Sequence, residues 1–174
     1  MDSSPVILKN GIEVSIHKCP RILLRELSHV FPGIVSSNEE EPVHAICTCQ
    51  KAQYDLSEYG ERVASEKDNL LENFMEWAEN LTRILESKGF FTDYIDPCSG
   101  LPMRTRNATC VYSEVDGMEL LLRYRSLNAG MCKILVHPSW GTSFYPASMF
   151  SKAPAHIIQQ AIIDLENHEN NSIL

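Results

Sequence analysis

Cysteine is the residue type with the widest chemistry in this chain, and Cys132 has the most suggestive context of the six cysteines. It follows Gly130 and Met131 where a loop becomes a predicted strand, and glycine permits backbone conformations that other residues avoid. A thiolate at such an edge could act as a nucleophile or as a ligand for a soft metal ion. The alternative is that Cys132 simply begins a buried strand, and the spacing leaves both interpretations open.

The other five cysteines are better explained by packing or by incidental exposure. Cys47 and Cys49 form a C-x-C pair, but they share a predicted strand face with apolar neighbours, which favours a core position over a metal site. No second ligand pair with zinc-finger spacing occurs in the sequence. Cys19 lies at a predicted strand–helix corner, Cys98 in an exposed turn, and Cys110 in a predicted short strand.

The histidines add no recognisable catalytic group. His137 is five residues from Cys132, so the two side chains lie on opposite faces of a regular strand unless a bulge intervenes. The sequence contains no nucleophile elbow, phosphate-binding glycine loop or metalloprotease motif. The sequence therefore contains no recognisable set of catalytic residues.

The elements that would position Cys132 follow from hydrophobic spacing. Residues 11–19 alternate and predict a half-buried strand, and Pro20 opens a helix that Pro32 and Gly33 end. Val43 to Cys49 alternates again, and a polar, acidic surface loop is predicted at 36–41. The longest predicted helix spans Glu66 to Lys88, with Ser65 as its N-cap.

The second half of the chain predicts strands followed by a final helix. Its expected elements are a loop at 90–103, a short strand at 110–112, a strand or helix at 118–124, strands at 131–136 and 142–150 joined by a tight turn, and a helix that Pro154 opens. The order β-α-β-α-β-β-α indicates an α+β sandwich. We expect one domain over residues 1–174, with an ordered core at about 11–166 and a frayed polar tail from Asn167.

Composition excludes several function classes. The 174 residues include 15 Lys and Arg against 23 Asp and Glu, and the resulting net charge of -8 argues against a binder of nucleic-acid backbones. No apolar run approaches the ~20 residues of a membrane-spanning helix. The first residues lack a secretory or transit signal, so we expect a cytoplasmic protein with reduced thiols and not a disulfide framework; a mitochondrial pool would require that a leader has been removed.

Three segments resemble the family of the methylmalonic aciduria and homocystinuria type D protein, a cobalamin-trafficking adaptor. The segments are Gly89-Phe-Phe-Thr-Asp-Tyr-Ile-Asp-Pro-Cys-Ser-Gly-Leu101, Gly130-Met-Cys-Lys-Ile134 and Ser139-Trp-Gly-Thr142. Shorter matches extend the resemblance from about Ile12 to Ile163, which corresponds to the folded C-terminal part of the family.

The resemblance implies a degenerate flavin nitroreductase-like sandwich that has lost its flavin and its enzymatic activity. It implies a protein partner, the type C cobalamin-processing protein, with which the chain would form a heterodimer, and no stably bound cofactor of its own. In the family, a cysteine of a Gly-Cys-Cys-Lys motif can coordinate the cobalt of cobalamin held by that partner. The corresponding residues here are Gly130, Met131 and Cys132, with Cys132 as the candidate cobalt ligand.

Met131 departs from the motif, because it replaces the first cysteine of the pair. A thioether is a weaker donor than a thiolate, and adjacent residues of a strand point to opposite faces. Two further hypotheses therefore remain beside the adaptor. The chain could be a protein-interaction or assembly factor of the same fold that binds no cobalamin, or a surviving flavin oxidoreductase, although no basic cluster for a flavin phosphate is visible.

Overall fold

The computed structural model describes residues 4–34 and 42–171. The loop predicted at 36–41 and the last residues of the chain lie outside the described residues. The elements in chain order are β1 (Val6–Ile7), β2 (Ile12–Lys18), α1 (Arg21–Val30), β3 (His44–Lys51), α2 (Glu61–Ser87), β4 (Thr92–Tyr94), α3 (Glu114–Leu122), β5 (Arg125–Ala129), β6 (Cys132–Val136), β7 (Phe144–Ser151) and α4 (Ala155–Asn171). The α+β class predicted from the sequence is confirmed, and the likeness to nitroreductases stays a prediction.

Five strands form one antiparallel sheet in the order β1-β2-β3-β7-β4, and β5 and β6 form a separate two-stranded hairpin. The predicted strands at 131–136 and 142–150 are confirmed as β6 and β7, and a short turn joins them, but the two strands belong to different sheets. β7 instead pairs along its whole length with β3, from His44 opposite Ser151 to Lys51 opposite Phe144. Only a single bridge between His137 and Gly141 closes the turn between β6 and β7.

The sheet is covered on both faces, which makes the fold three layers deep. Side chains that alternate along each strand enter two different cores, as the strand period of two requires. One core joins the sheet to α2 and α4, and includes Ile12, Val14, Ile46, Phe74, Trp77, Met149 and Ile158. The other joins it to α1, α3 and the hairpin, and includes Leu23, Leu27, Cys47, Cys49, Met118, Leu135 and Phe150.

Strand β2 is more buried than its alternating pattern predicts, because both faces of the sheet are covered. Ser15 and His17, expected on a solvent face, are buried, and the hydroxyl of Ser15 lies 2.8 Å from Nε2 of His17. The strand itself is confirmed, but the prediction of a half-buried strand is wrong. Polar residues of this face are covered because α1, α3 and the hairpin pack over the sheet.

Helix α2 begins five residues earlier than predicted. Its N-cap is Gly60 and not Ser65, and the additional turn buries Val63 in line with the apolar stripe. At ~1.5 Å per residue its 27 residues span about 40 Å, which is longer than any strand of the sheet. Helix α4 likewise continues to Asn171, so the chain between Asn167 and Asn171 is helical and not frayed.

The segment between α2 and α3 differs most from its prediction. The expected loop at 90–103 contains β4, and the expected strand at 110–112 is a loop in which Cys110 and Val111 are exposed and Tyr112 is buried. The N–H of Tyr112 donates to the carbonyl of Gly100 at 2.8 Å. The segment 118–124, predicted as a strand or a helix, is helical up to Leu122, because it belongs to α3. The Ser113 hydroxyl caps this helix and accepts a hydrogen bond from the N–H of Asp116.

One buried carboxylate organises the loop that follows β4. Asp93 is 0 % exposed, and its Oδ1 accepts hydrogen bonds from the backbone N–H groups of Tyr94 at 2.8 Å and Arg104 at 3.0 Å. Its Oδ2 accepts another from the N–H of Thr105 at 2.8 Å. The carboxylate thus satisfies three backbone donors and closes the loop over the edge of the sheet.

Candidate functional site

Cys132 begins β6 directly after a two-residue hairpin turn. Ala129 of β5 lies opposite Cys132 in the register, so Gly130 and Met131 are the turn. Gly130 has a φ of 64°, which side chains rarely adopt and which the first residue of a type II′ turn requires. The sequence places glycine where this turn needs it, and the result is a strand that starts at an exposed tip.

The register of the hairpin defines its two faces. Residues opposite each other across a ladder share a face, and successive residues alternate. Lys133 reaches α3 and Leu135 is buried in the core, so this face of β6 is directed inward. Cys132, Leu127 and Ile134 therefore lie on the opposite face, which we call the outer face of the hairpin. Cys132 is exposed, and Leu127 is 55 % exposed.

Met131 lies in the turn and not in a strand. Its side chain is fully exposed, with a relative accessibility of 105 %. The expectation that Met131 and Cys132 point to opposite faces of a strand is therefore wrong, because the chain reverses at Met131 before β6 begins. The thioether and the thiol both face solvent at the tip, where a large ligand held by another protein could reach either.

Helix α3 holds the inner face of the hairpin through charged groups. The Nζ of Lys133 donates to Oδ1 of Asp116 at 3.3 Å and to Oε2 of Glu119 at 3.2 Å, and the hydroxyl of Ser126 donates to Glu119. The bonds to Glu119 and Asp116 hold the pKa of Lys133 above its ordinary value. These contacts orient β6 so that Cys132 is directed away from α3.

The hairpin differs in charge from the rest of the chain. Residues 123–136 contain Arg123, Arg125 and Lys133 but no Asp or Glu, in a protein whose net charge is -8. Lys133 is paired with the carboxylates of α3. Both arginines are exposed and make no ion pair within the described residues. The outer face thus combines apolar side chains, a thiol and positive charge.

The remaining cysteines lie in the environments predicted from the sequence, with the exception of Cys110. Cys19, Cys47 and Cys49 are buried, and burial raises the pKa of Cys19 to about 12, so that this thiol stays protonated. Cys98 is exposed in its turn as predicted, whereas Cys110 is exposed on a loop and not in a strand. Neither of these two exposed cysteines belongs to a strand.

A group that sequence reasoning missed lies beneath the base of the hairpin. Glu13, Cys49 and His137 bring a carboxylate oxygen, a sulfur and a ring nitrogen within 4.8 Å of one another, a donor set that could suit a divalent metal ion. Glu13 lies directly opposite Cys49 in the β2–β3 ladder, but His137 is 124 residues away from Glu13 in sequence. Only the pairing of distant strands could have revealed this group.

The hydrogen bonds of His137 oppose metal binding. Its Nδ1 accepts the backbone N–H groups of Ser139 at 3.1 Å and Trp140 at 3.2 Å, which places the ring proton on Nε2. Nε2 then donates to Oε1 of Glu13 at 3.1 Å. A metal ion at Nε2 would have to displace this proton while Nδ1 remained an acceptor. The group is therefore a structural tether between β2 and the turn after β6, strengthened by a stacked contact of 4.0 Å between His137 and Trp140.

Replacing His137 by phenylalanine tests this tether. The change keeps an aromatic ring against Trp140 but leaves two backbone N–H groups and the Glu13 carboxylate without their partner. We expect a loss of about 3 kcal/mol in the free energy of unfolding, measured by urea titration. Glu13→Gln should cost less than about half as much, since an amide oxygen still accepts from Nε2. A phenylalanine variant as stable as the parent would contradict the tether.

Within the described residues, no helix has the length and apolar character needed to cross a bilayer. The model of the methylmalonic aciduria and homocystinuria type D protein family matches residues 3–163. The chain is 30 % identical over 151 residues to the cobalamin trafficking protein CblD of Rattus norvegicus, covering 86 % of this chain and 50 % of that protein. The protein of the same name from Homo sapiens is 28 % identical over 151 residues, with 86 % and 50 % covered. This chain thus spans about half the length of the curated relatives it matches.

Proposed function

Since the chain belongs to the methylmalonic aciduria and homocystinuria type D protein family, we propose that it is a non-enzymatic adaptor in intracellular cobalamin trafficking. The relatives at 28–30 % identity are named as cobalamin trafficking proteins. The cytoplasmic location expected from the sequence is part of this proposal. The matched region, residues 3–163, includes the whole hairpin, which supports a role for the hairpin in this proposal.

The observation that carries the proposal is the exposed thiol of Cys132 on the outer face of the hairpin. Cobalt of cobalamin is a soft, polarisable centre, and a thiolate is a soft ligand that suits it. The turn of Gly130 and Met131 places this sulfur at a projecting tip, where cobalamin bound in the cleft of another protein can be approached. Cobalamin is thus the cargo of a complex and not a stable cofactor of this chain.

The partner in this proposal is the type C cobalamin-processing protein, which docks on the outer face of the hairpin. Leu127 and Ile134 supply apolar contact beside Cys132, and Arg125 supplies positive charge on the same face. A matching surface is therefore apolar with a carboxylate near Arg125. Such an arrangement would bring the thiol of Cys132 to the partner's cobalt as the two proteins associate.

A second candidate function follows from Met131. If the family's cobalt ligand is the first residue of the motif, a thioether at this position cannot form the cobalt–thiolate bond. The chain would then be an interaction or assembly factor that uses the same hairpin to bind a protein but not cobalamin. The fully exposed Met131 is suited to such a contact, because methionine adapts its shape to a partner surface.

A titration of the purified chain into cobalamin-loaded type C protein separates the two candidates. We expect a 1:1 complex in size-exclusion chromatography, together with a change in the visible absorption of the cobalamin that reports a new cobalt ligand. A complex without any spectral change would favour the assembly factor. If no complex forms at low salt, where charge attraction is strongest, the adaptor proposal is wrong.

A further inference from the structure

The carboxyl of Glu114 is buried at the first turn of α3 without a full set of hydrogen-bond partners. Its backbone reaches the surface, but its side chain turns inward toward the sheet. Oε2 accepts a hydrogen bond from the hydroxyl of Ser148 on β7 at 2.7 Å. Oε1 is buried and has no hydrogen-bond partner among the described residues. A buried carboxylate whose hydrogen bonds all come from one residue, Ser148, and which has no compensating positive charge, is costly when it is ionised.

Among the described residues, no positive charge is found to act on this carboxyl. The titratable groups that interact with it are thiols and phenols: Cys47 and Cys49 on β3, Tyr112 before α3, and Tyr145 on β7. The other carboxyls near this end of α3 are Asp116 of the same helix and Glu26 of α1. Burial and the nearby charge of Asp116 raise the pKa of Glu26 above its ordinary value. Ionised Glu114 would therefore meet only neutral or negative neighbours.

Helix α3 packs closely against the residues that precede it. The hydroxyl of Tyr112, also buried without a partner, lies against Gly117, and a Cβ at that position would come within 1.7 Å of it. Glycine at position 117 thus permits the close contact between α3 and Tyr112. The first turn of α3 must shift outward if the Glu114 carboxyl is to be hydrated.

The same helix holds the hairpin. Asp116 and Glu119 of α3 bind Lys133, and Glu119 also accepts from Ser126, so both strands of the hairpin are attached to α3. A shift of α3 would move or release these two carboxylates. The position of the hairpin is thereby coupled to the state of a carboxyl on the opposite side of the helix.

We propose that proton loss from Glu114 loosens α3 and the hairpin it holds, so that the mobility of Cys132 increases as the pH rises through neutrality. Protonated Glu114 keeps the helix seated on the sheet; ionised Glu114 favours a state in which the first turn of α3 has opened to water. The device is a property of the fold and does not depend on the proposed role in cobalamin trafficking.

The direction of the effect follows from linkage. Burial raises the pKa of Glu114 from 4.5 to about 7, with the Ser148 hydrogen bonds opposing the rise. The closed state therefore binds the proton more tightly than an open state in which the carboxyl is hydrated. The stabilisation that the protonated carboxyl gives to the closed state is fully present below about pH 4.5, and it is lost as the pH rises through about 7.

Hydrogen exchange of the intact chain, read by mass spectrometry and corrected for the intrinsic effect of pH, tests the proposal. Protection of amides in residues 114–122 and 125–136 should fall about tenfold between pH 6 and pH 8. In Glu114→Gln the protection should not depend on pH, whereas the exposed control Glu76→Gln should behave as the parent. A parent without this pH dependence, or a Glu114→Gln variant that retains it, would overturn the proposal.

A second variant covers the case in which Glu114→Gln fails to fold. Ser148→Ala removes a donor that stabilises the ionised carboxyl, so the midpoint of the pH dependence should move to higher pH. An unchanged or lower midpoint would contradict the assignment to Glu114. If protection in β3 and β7 fell as much as in the hairpin, the transition would be global unfolding, which also overturns a local device.

Discussion

Serine in place of Cys132 should abolish any cobalt–sulfur absorption in the complex with cobalamin-loaded type C protein, while the complex itself still forms. A hydroxyl does not ionise near neutral pH and is a poor ligand for a soft metal centre. The side chain is exposed and makes no hydrogen bond within the described residues, so folding should be unaffected. The measurement is the visible spectrum of the isolated 1:1 complex, with Cys98→Ser and Cys110→Ser as matched exposed-cysteine controls.

Position 131 provides the complementary test. If cobalt binds the thiolate of residue 132, Met131→Cys leaves the signal of the parent largely unchanged, and the double variant Met131→Cys/Cys132→Ser stays silent. If the first residue of the motif is the ligand site, the double variant gains the signal that the parent lacks. A parent spectrum that survives Cys132→Ser would refute the assignment of Cys132 and leave the assembly-factor hypothesis as the better one.

Alanine in place of Asp93 should lower the free energy of unfolding by about 4 kcal/mol. The substitution leaves the N–H groups of Tyr94, Arg104 and Thr105 without an acceptor at a fully buried position. Hydrogen bonds to a charged acceptor contribute about 1.5–3 kcal/mol each, and burial prevents water from replacing all three. Urea unfolding followed by circular dichroism measures the loss.

Asp96→Ala is the matched control for Asp93→Ala. Its carboxylate also accepts hydrogen bonds, from the N–H of Cys98 at 3.0 Å and the hydroxyl of Ser99 at 2.7 Å, but it does so in an exposed turn. We expect a loss below about 1 kcal/mol there, because water replaces the missing acceptor. Equal losses in the two variants would show that Asp93 does not organise the loop.

Elements whose formation depends on local sequence could be predicted, and pairings between distant strands could not. The strand at 12–18 and the helix opened by Pro20 are visible because alternation and a helix-initiating proline lie within a few residues. β4 was missed because its three residues form a strand only by pairing with residues of β7 that lie more than fifty positions later. The covered second face of β2 likewise depends on helices that no local pattern could place over it.

In the candidate site, too, some features follow from the local sequence and others depend on contacts between distant residues. The position of Cys132 at the start of a strand, and of Lys133 on the other face, follows from the sequence alone. The placement of Met131 in a turn required β5, whose sequence Arg-Ser-Leu-Asn-Ala has little of the β-branched or aromatic character that indicates a strand. The tether of Glu13 and His137, and the burial of the Glu114 carboxyl, arise only after the sheet and α3 have assembled.

The strand order has a consequence for how the chain reaches its native state. β7 inserts between β3 and β4, and its ladder with β3 joins residues about one hundred positions apart. The five-stranded sheet therefore cannot close until the residues up to Ser151 have left the ribosome. Folding through such long-range contacts is slow, on the order of milliseconds to seconds. Until β7 is in place, the buried strand β3 has one open edge, and an unpaired edge of this kind favours aggregation of the nascent protein.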